Sequence, residues 1–183
     1  MENTTIKFKS IGRNCKISPF ARFYNPGNIE IGDNVRIDDF CILSAGVGGI
    51  KIGRNCHIAC FTHLIGAGEI VLEDYAQVSS RCSIFSSTDD FGGRYLAGPC
   101  VPEEMRKVRS GKVHLKKYAL LGCSTIIMPE VTIGEGSATG AQTLVTKSIP
   151  DFELHGGTPN KKLKDREKPF FMYGNYAYQL ADE

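Results

Sequence analysis

The chain has 183 residues, 42% of them hydrophobic and 23% charged, which fits one medium globular domain able to bury a core. A formal net charge of +2 gives no strong pull toward nucleic acid or a membrane surface. The first ten residues, MENTTIKFKS, lack the apolar stretch of a signal peptide, and no apolar run approaches the roughly eighteen residues of a membrane span. A cytoplasmic protein is expected, in which an odd count of seven cysteines stays reduced.

From the N-terminus, large apolar residues recur in trios: Ile11, Ile17, Phe23; Ile31, Ile37, Leu43; Ile52, Ile58, Leu64; Leu72, Val78, Ile84. After an interruption come Leu115, Leu121, Ile127 and then Ile133, Thr139, Val145. The step within every trio is six residues, which matches neither the 3.6 period of a helix nor the alternation of a strand. Several trios open on a glycine after the anchor, as in IGRNC and IGDNV, and a small residue follows most anchors four positions later. Cys15, Cys41, Cys56 and Cys82 occupy that small position, so they read as compact buried side chains. Cys60 and Cys123 fall elsewhere in the hexad, and Cys100 lies in the interruption. The pattern predicts an all-β, prism-shaped coil with three hexads per turn. The large residue fills the triangular interior, and short parallel strands stack at about 4.8 Å.

The interruption, residues 89–112, is rich in glycine and proline and reads as one long protruding loop of the functional kind. After Pro150 the period stops. Residues 151–183 are expected to form a turn, a short basic helix and an aromatic tail whose Phe170, Phe171, Tyr173, Tyr176 and Tyr178 pack on a core or a neighbour. The organisation is a single domain over 1–183, with the coil spanning 11–150.

The hexads, the loop at one defined place, GAQTLVTKSIP and HGGTPNKKLKDR together resemble the hexapeptide-repeat acyltransferases, nearest to the maltose/galactoside acetyltransferase and polysaccharide O-acetyltransferase branch. The resemblance runs from about Ile11 to Arg166. It implies a left-handed parallel β-helix, a homotrimer, acetyl-CoA as co-substrate and a sugar or nucleotide-sugar acceptor. In that family a histidine at the start of the loop meets the thioester; in ungapped register the position here is Asp89, within FSSTDDF. A histidine can take a proton from a sugar hydroxyl, whereas a free aspartate, with a pKa of about 3.9, is a poor base for an alcohol. Asp89 therefore tilts the chemistry toward an amine acceptor. O-acetylation stays open if His63 reaches the site, and Asp90 is a further candidate beside Asp89. The positions that hold the acceptor in the galactoside enzymes are Ala59 and Ala67 here, so a larger acceptor such as a nucleotide-linked amino sugar or a glycan unit is expected.

For the co-substrate the resemblance implies Gly122 and Cys123 at the pantetheine end, Gly140 and Ala141 along the arm, and Lys147, Pro159, Lys161, Lys162 and Arg166 at the adenosine phosphates. The rival reading from another class is a γ-type carbonic anhydrase on the same fold, with His57, His63 and His114 converging on zinc. A second rival is a non-catalytic β-helix used for assembly.

Overall fold

The computed structural model describes residues 6–168, and these form a triangular parallel β-solenoid, the prism-shaped coil that the hexads predict and the left-handed β-helix that the family resemblance implies. Three sheets wrap one interior. The first runs Ser10–Ile11, Ile29–Ile31, Ile50–Ile52, Ile70–Leu72, Val113–Leu115 and Thr132–Ile133, each strand parallel to the next. The second begins at Lys16–Ile17 and passes through Arg36–Ile37, His57–Ile58, Gln77–Val78, Leu120–Leu121 and Ala138–Thr139 to Glu153–Gly156. The third contains Arg22–Tyr24, Ile42–Ala45, His63–Gly66, Ser83–Phe85, Ile126–Ile127 and Leu144–Val145.

Parallel pairing in register stacks like on like inside the prism. Ile31, Ile52, Leu72, Leu115 and Ile133 form one buried column; Leu43, Leu64, Ile84, Ile127 and Val145 form another. The small position sits beneath each corner, and Cys41, Cys56 and Cys82 are fully buried there, their thiols pushed up to about 11, 12 and 11 by desolvation. The first turn is the open end: Ile11 is half exposed and Phe8 closes edge-on over Phe23 at 5.0 Å. At the other end the interior turns polar. Thr125 and Thr139 hydroxyls bond at 2.8 Å, and the nearly buried His155 pairs with Glu153 at 2.7 Å.

Two of the three corners are tight single-residue bends in the left-handed backbone region. Asn14, Asn34, Asn55, Tyr75 and Tyr118 form one; Phe40, Phe61, Arg81, Ser124 and Gln142 form the other. The third corner is where the earlier turns carry extra residues, at 25–28, 46–49 and 66–69, and the long loop leaves from this same corner. Insertion there leaves the strand registers of all three sheets intact.

One expectation fails. Residues Lys161–Asp165 are a strand, antiparallel to Glu153–Gly156, where a basic helix was expected. The open edge of the second sheet at Glu153–Gly156 has free ladder groups that a returning strand satisfies. Leu163, in the middle of the segment, remains exposed, so no apolar face exists to hold a helix. The aromatic tail, including Phe170, Phe171, Tyr173, Tyr176 and Tyr178, lies outside the described residues. Among the described residues no helix is long and apolar enough to cross a membrane.

Candidate active site

The loop is anchored before it protrudes. Ser87–Thr88 pairs antiparallel with Arg109–Ser110, so entry and exit strands form a stem. The stem sits on glycines: a side chain at Gly66, where φ is +147°, would meet Ser86 and the Ser87 nitrogen at 2.3 and 2.7 Å. Further out, Leu96 bridges to Arg106 and its N–H donates to the Met105 carbonyl at 2.9 Å. Between the stem and the third sheet lies a cavity of about 780 Å³. Asp89, Asp90, Arg94, Tyr95, Lys107 and Arg109 line it, together with Met128 from beyond the loop. That volume suits a small polar ligand.

Asp89 lines this cavity and is partly exposed. Asp90 is held differently. Its carboxylate accepts backbone N–H groups of Gly92 at 2.8 Å, Arg94 at 2.9 Å and Tyr95 at 3.0 Å. These bonds, that of Gly92 foremost and then that of Tyr95, hold its carboxyl below the ordinary aspartate value. Asp90 is thereby committed to shaping the loop. His63 is on the outer side of the third sheet, paired with Ser83, and does not line this cavity.

The expected co-substrate residues gather on the second sheet. Register places Ala59, Ser79, Gly122, Gly140 and Gly156 in one outward column. Gly122 stacks so closely on Gly140 that an added side chain would meet the Gly140 carbonyl carbon at 2.7 Å; one at Gly140 would meet nothing nearer than 3.8 Å. The column is thus a smooth track with room above it. Cys123 and Ala141 are exposed along its edge, and a second cavity of about 400 Å³ joins Cys123 to His57, Ser79, Ser80 and Leu120. Beyond the track's end the basic residues divide. Lys147 and Lys161 are exposed with no ion pair among the described residues, and Pro159 is exposed in the turn between them. Lys162 bonds Asp165 at 2.7 Å and Glu153 at 2.8 Å, and the Arg166 guanidinium donates to the Gly136 carbonyl at 2.6 Å. The latter two cations therefore brace the terminal hairpin.

Sequence reasoning treated the loop as one block and missed Arg94, Tyr95, Lys107 and Arg109. The signal was there in GGRYL and RKVR, basic residues either side of an aromatic within a loop expected to be functional. It also missed the contact of His57 Nε2 with Asp38 Oδ2 at 2.7 Å, on the same face as the track. The three histidines of the zinc reading stand on three different sheets. His57 and His114 are each bound to a carboxylate of a neighbouring strand, His114 to Glu73 at 2.7 Å.

Comparison with known proteins bears on this arrangement. No family model matches the chain. A dTDP-4-amino-4,6-dideoxy-D-glucose acyltransferase of Escherichia coli is 45% identical over 161 residues, covering 88% of this chain and 84% of that protein. A serine-to-cysteine variant of AntD, an N-acyltransferase from Bacillus cereus, was solved with dTDP-4-amino-4,6-dideoxyglucose and coenzyme A. It superposes with a TM-score of 0.90 at 43% identity, over 94% of this chain and 91% of that one. The same enzyme with dTDP and 3-hydroxybutyryl-CoA gives a TM-score of 0.91 at 42% identity, over 96% and 93%. A maltose O-acetyltransferase from Clostridium difficile 630 shares the fold alone, with a TM-score of 0.61 at 19% identity, over 88% and 71%. With hexads, loop and track in place and nearly the whole chain matched, this protein belongs to the hexapeptide-repeat acyltransferase family and is an acyl-CoA-dependent sugar acyltransferase.

Proposed function

We propose that the chain is an N-acetyltransferase of a nucleotide-linked amino sugar, a dTDP-4-amino-4,6-dideoxyhexose, with acetyl-CoA as donor. The observation that carries this is the likeness, over nearly the full chain, to an N-acyltransferase solved with such a sugar nucleotide and coenzyme A. The carboxylate of Asp89, where the O-acetylating branch has histidine, agrees with it. The neutral sugar amine attacks the thioester carbonyl; a C–N bond forms and the C–S bond breaks. The nitrogen's proton passes to Asp89, and the thiolate leaves, taking up a proton to become coenzyme A. Addition to the carbonyl leaves the nitrogen positively charged, and that ammonium gives up its proton far more readily than a sugar hydroxyl does, so a carboxylate suffices where a hydroxyl would demand a stronger base. The solved relatives include variants of one serine and of one aspartate ten positions further on. This chain carries that spacing twice, Ser79 with Asp89 and Ser80 with Asp90.

The Asp89 cavity opens at the third corner, while Ser79, Gly122 and Gly140 lie on the second sheet. A homotrimer, acting in the cytoplasm, sets the loop cavity of one copy against the track of the next. Lys147, Pro159 and Lys161 lie at the far end of that track, where the adenosine phosphates of the donor are met, and Gly122, Cys123, Gly140 and Ala141 line the arm.

The test is a product analysis. Purified protein with acetyl-CoA should convert dTDP-4-amino-4,6-dideoxyglucose to an alkali-stable amide and leave maltose and simple galactosides untouched. Ester formed on a neutral sugar, with no amide from any amino-sugar nucleotide, would refute the proposal. Parallel runs with 3-hydroxybutyryl-CoA decide the acyl group.

A further inference from the structure

The loop cavity contains more positive charge than proton transfer requires. Arg94 and Lys107 both stand over Tyr95, the guanidinium carbon 6.0 Å and the ammonium 5.6 Å from the ring centroid. Neither has a carboxylate within ion-pair distance among the described residues. Among the described residues, the one carboxylate that Arg109 reaches is Glu130, at 3.9 Å and in the open. Lys107 adds to the field that keeps Asp90 ionised, yet the Asp90 oxygens already serve the backbone N–H groups of Gly92, Arg94 and Tyr95. Those bonds fix the backbone from which Arg94 and Tyr95 project, and the Leu96–Arg106 bridge fixes Lys107 opposite them. Arg94 and Lys107, held over an aromatic ring on a braced loop with no carboxylate partner among the described residues, and Arg109, in only a long exposed ion pair, form an anion subsite.

We propose that Arg94, Lys107 and Arg109 bind the diphosphate of the sugar nucleotide, with the sugar between them and Asp89. This rests on the function proposed above. Coenzyme A also carries a diphosphate, and geometry separates the two. Extended bond lengths put the pantetheine sulfur roughly 15 Å from its diphosphate, whereas a hexose 4-amino group lies roughly 6 Å from the phosphorus on its anomeric oxygen. If the thioester and the amine meet at Asp89, only the sugar nucleotide can place its diphosphate inside the same cavity of about 780 Å³.

The experiment is a calorimetric titration of the full chain with dTDP, dTMP and coenzyme A, alongside steady-state kinetics. In the Arg94→Ala/Lys107→Ala double variant, dTDP affinity should fall at least tenfold, and the preference for dTDP over dTMP should disappear. KM for the amino-sugar nucleotide should rise in step, with coenzyme A affinity within twofold of wild type. A matched melting temperature, and the single Arg109→Gln variant showing a smaller loss of the same kind, guard against a collapsed loop. Unchanged dTDP binding in a wild type that acylates the amino-sugar nucleotide would overturn the subsite and leave the function standing. Loss of coenzyme A affinity instead would assign the cations to the donor and overturn it too. If wild type acylates no amino sugar yet binds dTDP through Arg94 and Lys107, the subsite stands and the proposed reaction falls.

Discussion

Asp90 and Asp89 are neighbours with the same carboxyl group and different occupations. The three N–H groups on Asp90 depress its pKa, so its contribution to loop order is present above the ordinary carboxylate value and is lost as pH falls through the lower folded one. The protection of the Gly92, Arg94 and Tyr95 amides, measured as exchange relative to the intrinsic rate at each pH, should therefore hold from neutrality to about pH 5 and fall below about pH 4. An Asp90→Asn variant, which keeps the shape but loses the charge, should show weaker protection of these amides at neutral pH and little further loss on acidification; protection in wild type that does not change down to about pH 3 would count against this role. Asp89 accepts no such bonds and faces the cavity. Asp89→Asn should lower kcat by about 10²–10⁴ while KM for acetyl-CoA stays nearly constant. If His63→Ala produces that loss and Asp89→Asn does not, the base is the histidine. Among the cysteines, the desolvated Cys41, Cys56 and Cys82 are inert, while Cys100 and Cys123 are exposed. Coenzyme A should shield Cys123, beside the track, from a thiol reagent and leave Cys100 reactive.

The coils and the loop obey different rules, and this decides what could be read in advance. A period of six with a buried anchor repeats one physical demand at every rung, so Ile31, Ile52 and Leu72 announce their column from the sequence alone. The corners were equally readable where asparagine takes the left-handed bend, as at Asn14, Asn34 and Asn55. Phe40, Phe61 and Arg81 adopt the same bend without that local preference, and the Phe40 and Phe61 rings stack there with centroids 5.1 Å apart. The terminal strand Lys161–Asp165 was missed because its partner is an open sheet edge, a demand made by the fold and not by its own residues. Packing predicts unequal costs: Ile58→Ala, at a fully buried rung, should destabilise by about 2–5 kcal/mol, and Ile11→Ala, at the frayed end, by about 1 kcal/mol or less. Chemical denaturation would measure both. Gly122→Ala should destabilise through its clash with Gly140. Gly140→Leu should fold normally and raise KM for acetyl-CoA, because its side chain has room only above the track.

The loop cavity and the cavity beside the track share no lining residue in one chain, so the candidate residues chosen by resemblance fall into two groups. Asp89 and Asp90 belong to a loop on the third corner; Gly122, Cys123, Gly140 and Ala141 belong to the second sheet. The hexad sequence states each wall clearly, but the period of one chain carries no information on whether two walls face each other across copies. If the site forms between copies, a chain defective in the loop and a chain defective in the track can complement. Asp89→Asn and Gly140→Leu should each be nearly inactive as homotrimers at low acetyl-CoA. Co-expressed in equal amounts, they mix at random around a closed ring, and about one quarter of the sites pair an intact loop with an intact track. Activity of the mixed preparation should approach that fraction of wild type, and tagged purification of the mixed trimers should enrich it. Activity no higher than the average of the two parents would place both walls within one chain. Light scattering showing a monomer would exclude the shared site altogether.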